Sequence, residues 1–192
     1  MMLTAAFALS LIVNVSATRD IPASVVRDAL VEANRIWRPG GTTFDWRRES
    51  TLPAPLRVVI DHEGAAPAAA NTMALGWVIF DAGVPGADIH LSYANAQRLL
   101  EESADFVGHS RARIMTIVEH DTMLARALGR ALAHELGHIL LASKEHTQSG
   151  LMKATRTAVE FFAPDTQRFE ITAAQRAEIA ARLLKRPLVA SR

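Results

Sequence analysis

Two histidines four residues apart constrain this chain more than any other feature of its sequence. They belong to the stretch HELGH, in which His134 and His138 enclose Glu135. A helix turns by about 100° per residue, so side chains at i and i+4 lie on one face, one turn apart. Both imidazoles can therefore reach a single metal ion. Glu135 lies at the edge of that face, where it can take a proton from water without occupying the metal.

The surrounding sequence predicts a helix that has both a metal-binding face and a core face. Thr122–Ala142 contains no proline and is rich in alanine and leucine. Its large aliphatic residues follow the i, i+4, i+7, i+8 spacing of one helix face; they are Leu132, Leu136, Ile139 and Leu140. This face lies opposite the histidines, and the H-E-x-x-H pattern then indicates a zinc hydrolase. The alternative is a core helix whose two histidines have ordinary hydrogen-bond partners.

Composition narrows the possible ligands and partners. The 192 residues include no cysteine, which excludes disulfides, cysteine-ligated zinc and a cysteine nucleophile. Histidines and carboxylates remain as strong metal ligands. The net charge of +1 gives no indication of a nucleic-acid partner or of an anionic membrane surface. The sequence shows no repeat, low-complexity segment or linker, and its length suffices for a substantial core, so we predict one domain over residues 1–192.

The order of the predicted elements indicates an α+β fold with a mixed twisted sheet, rather than a regular βαβ alternation. Strands are predicted at Leu11–Val15, Thr42–Trp46, Leu56–Ile60, Gly76–Phe80 and Ala87–Tyr93. Helices are predicted at Asp20–Trp37, at Asn95–Ser103, over the metal-binding segment and after the capping box Thr172–Gln175. Loops or turns are predicted at Ala65–Ala70 and Val84–Gly86. Ser110–His120 fits either a helix or a loop.

The N-terminal segment permits two interpretations. Met1–Val13 is apolar, and Val15–Ala17 has the small residues of a signal-peptidase site. However, no lysine or arginine precedes the apolar run, and the run is too short to span a bilayer. We favour a first β-strand over a signal-like segment for residues 1–17, and both a secreted and a cytoplasmic location stay open.

A catalytic zinc site needs a third protein ligand and one open position. The nearest candidate is His146, eight residues after His138. The alternative is a more distant carboxylate, of which Glu160 is the best candidate, followed by Glu145 and Asp165. The other histidines lack paired spacing and are predicted to be surface or structural residues; they are His62, His90, His109 and His120.

The segment HELGHILLASKEHTQSGLM, which begins at His134, resembles the metzincin clan of zinc metalloproteases. Within the clan it looks matrixin-like, and it is most similar to uncharacterised bacterial metzincin-like proteins with the pattern HELGHxLL…H…GLM. The resemblance implies that His134, His138 and His146 bind zinc and that Glu135 is the general base. It also implies that Met152 forms a methionine turn, an apolar floor under the ligands. The alternative for Met152 is an ordinary core methionine.

The sequence departs from the metzincin pattern at two positions that matter for the site. The third histidine of the clan follows the second after six residues, whereas His146 follows after eight. The clan's turn glycine would fall at Leu141, and the nearest small residue is Ala142. A longer polar loop over residues 143–146 is therefore needed to bring His146 back to the metal.

These observations predict zinc-dependent hydrolysis of peptide bonds, in which Glu135 passes a proton from water to the leaving amine. A peptide or protein substrate would add as an extra strand if Ala87–Tyr93 is the sheet edge. The alternatives are a metal-binding module without proteolysis and a domain without metal. We expect no nucleic-acid partner, no stable membrane insertion and a monomer. The resemblance favours a secreted or periplasmic location.

Overall fold

The computed structural model describes residues 9–48, 50–63, 73–103 and 115–185, except for the side chains of Leu9 and Lys185. His109, the predicted loop Ala65–Ala70 and residues 110–114 lie outside these ranges. Within them, none of the helices combines the length and the apolar character needed to cross a bilayer.

The described elements confirm the predicted fold class, a mixed sheet combined with N-terminal, central and C-terminal helices. The strands are β1 (Leu9–Ala17), β2 (Thr42–Arg48), β3 (Leu56–Asp61), β4 (Gly76–Asp81) and β5 (Val84–Ser92). The helices are α1 (Ala23–Trp37), α2 (Tyr93–Glu102), α3 (Ile117–Leu141), α4 (Ala158–Phe162) and α5 (Ala173–Lys185). Short 3₁₀ turns lie at Arg38–Gly40 and Gln167–Phe169.

The strands form a five-stranded sheet in the order β2-β1-β3-β5-β4. β1 pairs in parallel with both β2 and β3, and β3 pairs in parallel with β5. Helix α1 connects β1 to β2, so the first three elements form a βαβ unit. The predicted strand Leu11–Val15 lies inside β1, and alternate side chains of β1 are buried: Leu11, Val13 and Val15.

The condition for substrate pairing at Ala87–Tyr93, that this strand is the sheet edge, is not met. β5 lies inside the sheet, between β3 and β4, and the antiparallel strand β4 is the edge. The turn predicted at Val84–Gly86 is wrong, because the hairpin turns at Ala82 and Gly83. Both of these residues have positive φ, as the type I′ turn of a two-residue hairpin loop requires. Pro85 is accommodated at the start of β5, where the pairing with β4 is irregular.

Helix α3 begins earlier than predicted. Its N-cap is Thr116, whose hydroxyl accepts a hydrogen bond from the backbone N–H of Glu119, while the Glu119 carboxylate accepts one from the Thr116 N–H. This capping box fixes the helix start and makes residues 117–120 its first turn. Helix α1 packs against α3, and the Trp37 indole N–H of α1 donates to the Ala133 carbonyl oxygen of α3 at 3.1 Å. The face of α3 opposite this core is left for the site.

Candidate metal centre

Three histidines converge at one end of α3. His134 and His138 lie one helical turn apart, and His146 comes from the segment that follows the helix. One ring nitrogen from each lies within 4.8 Å of the others. In the described part of the chain, no other set of three histidine, aspartate or glutamate side chains is close enough to hold one ion.

Backbone carbonyls fix the orientation of the two helical histidines. Nδ1–H of His134 donates to the Leu151 carbonyl oxygen at 2.9 Å, and Nδ1–H of His138 donates to the Ser143 carbonyl oxygen at 2.7 Å. Burial lowers the pKa of His134 to about 4 and also lowers the pKa of His138, so both rings are neutral at neutral pH. Each ring therefore keeps a free lone pair on Nε2, which is the arrangement of a metal-binding histidine.

The residues present fit a bound cation. The Nε2 atoms of His134 and His138 are 3.0 Å apart. Because both Nδ1 atoms carry the proton, two lone pairs face each other, and a cation between them removes that repulsion. Two imidazoles on one tetrahedral zinc would hold these atoms about 3.3 Å apart. A set of neutral imidazoles without thiolates suits zinc and the other borderline transition metals better than calcium or magnesium.

The carboxylates considered as third ligand do not join the histidines. Glu160, Glu145 and Asp165 all lie outside the three-histidine group. Glu160 instead caps α4, where its carboxylate accepts from the Thr157 N–H at 2.9 Å, and it contacts Lys153 at 3.1 Å. Its negative charge is thus already engaged by other groups.

The structure explains how His146 returns to the site in spite of the longer spacing. Ala142 ends α3 in the left-handed conformation, with φ 43° and ψ 49°, where glycine is usual. The Ser143 N–H then donates back to the His138 carbonyl oxygen at 3.1 Å. Further along, the Thr147 N–H donates to the Met152 carbonyl oxygen at 2.8 Å, so the loop that carries His146 lies along the following turn.

Met152 packs directly beneath α3. Its side chain is 2% exposed, and its Sδ would lie 2.2 Å from a Cβ added at Gly137, the glycine between the two helical histidines. The chain turns at this point, with the Lys153 N–H donating to the Gly150 carbonyl oxygen at 3.3 Å. Gly137 therefore permits a contact that any larger residue would block.

Glu135 lies on the cavity side of α3 and is 7% exposed. Burial raises its pKa to about 8 in the metal-free chain, and a cation on the histidines would favour the ionised carboxylate. β4 passes close by, since a Cβ added at Gly76 would lie 3.1 Å from Glu135 Cγ. The sequence analysis missed this role of Gly76, although a glycine that opens a strand is a recognised sign of a close approach.

A cavity of about 680 Å³ opens in front of the histidines. One wall is β4, with Trp77, Val78 and Phe80, and the Phe80 ring meets the His138 ring edge-on at 6.2 Å between centroids. The other wall is α3 together with residues 153–156. The sequence analysis also missed Phe80, Lys144 and Arg156 as lining residues, because they come from separate elements and share no spacing pattern.

The remaining histidines that the structure describes do not line the cavity. His62 bonds Asp20 at 2.9 Å, and His90 stacks on Trp77 with 5.4 Å between ring centroids. His120 lies 3.8 Å from Asp121. These contacts agree with the surface or structural roles predicted for them.

Comparison with known proteins supports the fold. No protein-family profile matches the sequence, and no curated protein sequence matches it. The crystal structure of archaemetzincin from Methanopyrus kandleri is similar, with a TM-score of 0.53 at 14% sequence identity; the match covers 96% of this chain and 100% of that chain. At this identity the similarity concerns the fold, which is zincin-like. It does not test the closer likeness to matrixins.

Proposed function

We propose that this protein is a zinc-dependent peptidase in which His134, His138 and His146 hold the metal and Glu135 is the general base. The observation that carries the proposal is the convergence of three histidine nitrogens beside a buried carboxylate, at the mouth of an open cavity. The metzincin-like sequence pattern and the similarity in fold to archaemetzincin support the same conclusion.

Each residue has a distinct part in the proposed reaction. A zinc ion held by the histidines supplies a Lewis acid that polarises a carbonyl group and acidifies water. The carbonyls of Leu151 and Ser143 hold the imidazoles of His134 and His138 in the ligating orientation. Glu135 accepts the proton from water and then donates it to the leaving amine. A cation on the histidines favours the ionised carboxylate, which can accept the first proton, and the protonated carboxyl group can then donate it to the amine.

The edge strand β4 offers a place for an extended peptide substrate. Its Gly76, Trp77, Val78 and Phe80 line the cavity, and among the strands that the structure describes it pairs only with β5. A peptide that hydrogen-bonds to the free side of β4 would run past the histidines and Glu135. We therefore move the proposed substrate strand from Ala87–Tyr93 to β4, and propose a peptide or protein as the partner.

Hydrolysis of a quenched-fluorescence peptide library by zinc-loaded protein tests the proposal. Cleavage should stop with a chelator and resume when zinc is added back. Glu135→Gln should keep its zinc and lose at least about a hundredfold in rate, because it cannot accept a proton. His62→Ala, which removes a histidine away from the cavity, should cleave normally. Zinc-loaded wild type that cleaves nothing would overturn the proposed function and favour a metal-binding module without proteolysis. Glu135→Gln at full rate would overturn the role of Glu135 as general base.

A further inference from the structure

Two buried arginines border the cavity, and they differ in how their donors are satisfied. Arg130 of α3 is fully buried. Its Nε donates to Glu32 at 2.9 Å, and its two terminal nitrogens donate to four backbone carbonyls at 2.6 to 3.1 Å. All five N–H groups of this guanidinium have acceptors. Arg130 is therefore a structural residue that ties α3 to the C-terminal part of the chain.

Arg156 is buried without being satisfied. Its side chain is 4% exposed, and Nη2 donates to the carbonyl oxygens of Gly150 and Leu151. In the residues that the structure describes, Nε and Nη1 have no hydrogen-bond partner. The nearest carboxylate oxygen in an ion pair, from Glu160, is 3.6 Å from Nη1, beyond a good hydrogen bond. The Phe169 ring stacks on the guanidinium at 3.9 Å and stabilises its charge, but it does not accept the N–H groups of Nε and Nη1. Unmet buried donors are costly, so this group favours an additional acceptor.

The Arg156 guanidinium lies close to the metal histidines. The Leu151 carbonyl oxygen accepts from His134 Nδ1 at 2.9 Å and from Arg156 Nη2 at 3.3 Å, so one acceptor joins the two side chains. Arg156 lines the same cavity as His134 and Glu135. A ligand group that reaches Arg156 would thus belong to a residue beside the bond that is cleaved.

The charges around Arg156 favour a negatively charged group. Glu160 is shared among Lys153 at 3.1 Å, Arg156 at 3.6 Å and Arg168 at 3.9 Å. One carboxylate cannot neutralise three cations. Among the described residues that line the cavity, the cations are Arg130, Lys144, Lys153 and Arg156, while Glu135 is the acid.

We propose that Arg156, supported by Lys153, forms a carboxylate-binding subsite that directs this enzyme to substrates with an acidic group next to the cleaved bond. The two oxygens of a carboxylate can accept from two guanidinium N–H groups at once, whereas an amide of the same shape has a single, uncharged acceptor oxygen. The carboxylate has two possible sources, an aspartate or glutamate side chain and the C-terminus of a peptide. The inference rests on the proposed peptidase function.

Matched peptides test the subsite. Quenched-fluorescence peptides blocked at both ends carry glutamate or glutamine at each position from two before to two after the cleaved bond. A second set carries only glutamine and ends in a free or an amidated C-terminus close to that bond. The readout is the ratio of kcat/KM for the acidic peptide over its neutral partner, because a ratio does not depend on the fraction of active enzyme.

The acidic peptide should be cleaved about tenfold faster or more at one position. Arg156→Gln should bring that ratio close to one, and Arg156→Lys should keep part of it. Arg168→Gln removes an exposed cation that contacts Glu160 but does not line the cavity, and it should leave the ratio unchanged. A preference for the free C-terminus over internal glutamate would assign the subsite to chain ends. Equal cleavage of all pairs by the wild type overturns the proposal, even if Arg156→Gln fails to fold.

A binding measurement separates this proposal from the proposed function. Fluorescence anisotropy with zinc-loaded Glu135→Gln protein reports affinity for the same peptides without hydrolysis. Tighter binding of the acidic partner with no cleavage by the wild type would keep the subsite and remove the peptidase function. Cleavage with no difference in rate or in binding between acidic and neutral peptides would keep the peptidase function and remove the subsite.

Discussion

Gly137→Ala should destabilise the protein, although the same change in most helices is stabilising. Replacing a glycine inside a helix by alanine ordinarily gains about 1 kcal/mol. Here the new Cβ would lie 2.2 Å from Met152 Sδ and 3.2 Å from its Cε. Sδ and Cε belong to a flexible side chain, but Met152 is 2% exposed, so that side chain has little free space into which to move. Overpacking of this kind costs about 1–3 kcal/mol, so after the gain in helix propensity we expect a net loss of up to about 2 kcal/mol.

Urea unfolding of the zinc-free protein measures the effect, and a double-mutant cycle with Met152→Ala locates it. Met152→Ala alone should cost about 2–5 kcal/mol, because it leaves a cavity. In the double variant the alanine at position 137 has room, so the two changes together should cost at least about 1 kcal/mol less than their sum. Ala177→Gly on the exposed side of α5 gives the ordinary propensity difference as a control.

A gain of about 1 kcal/mol for Gly137→Ala, together with additive costs in the cycle, would refute the reasoning. Position 137 would then behave as an unconstrained helix position, and Met152 could not pack beneath the metal helix as described.

Two further predictions concern stability. Ala142→Gly should raise the free energy of unfolding by about 0.5–1 kcal/mol, since relief of the left-handed alanine (about 1–2 kcal/mol) exceeds the extra entropy of the unfolded chain; no gain in thermal unfolding would contradict the observed helix end. Burial raises the pKa of Glu160, but hydrogen bonds from the Thr157 N–H and from Lys153 lower it by more. The net result is a pKa below the usual 4.5. The folded protein thus binds fewer protons than the unfolded chain near the pKa of Glu160. The stability that Glu160 contributes is therefore present above the pKa of the unfolded chain and is lost as the pH falls through the folded-state pKa. The difference in unfolding free energy between wild type and Glu160→Gln should shrink below about pH 4, and a constant difference down to pH 3 would contradict this.

Local sequence rules were sufficient for the elements that define the site. The spacing of His134 and His138 determines their common face once a helix forms, and capping boxes mark where α3 and α5 begin. The box at Thr116 was present in the sequence and was overlooked, which is why the predicted helix began too late. In these cases the deciding interactions lie within one or two helical turns.

The strand order, the left-handed end of α3 and the position of Arg156 depend on contacts between residues far apart in the chain. Strand order is set by pairing between distant segments. The residue pattern of Ala87–Tyr93 therefore could not show that β4 would pair beside this strand and form the sheet edge. A left-handed alanine at position 142 goes against the local preference for glycine and is held by the surrounding structure. The proximity of Arg156 to His134 arises through a shared backbone carbonyl, which leaves no trace in the sequence.

Zinc stoichiometry decides whether the three-histidine site exists. Protein stripped of metal, reloaded with zinc and desalted can be assayed by mass spectrometry of the metal, with His146→Ala compared against His62→Ala. We predict about one zinc per chain in the wild type and in His62→Ala, and a large loss in His146→Ala, because a tetrahedral site with two protein ligands binds weakly. A wild type that takes up no zinc, or His146→Ala that retains a full equivalent, would contradict the proposed site.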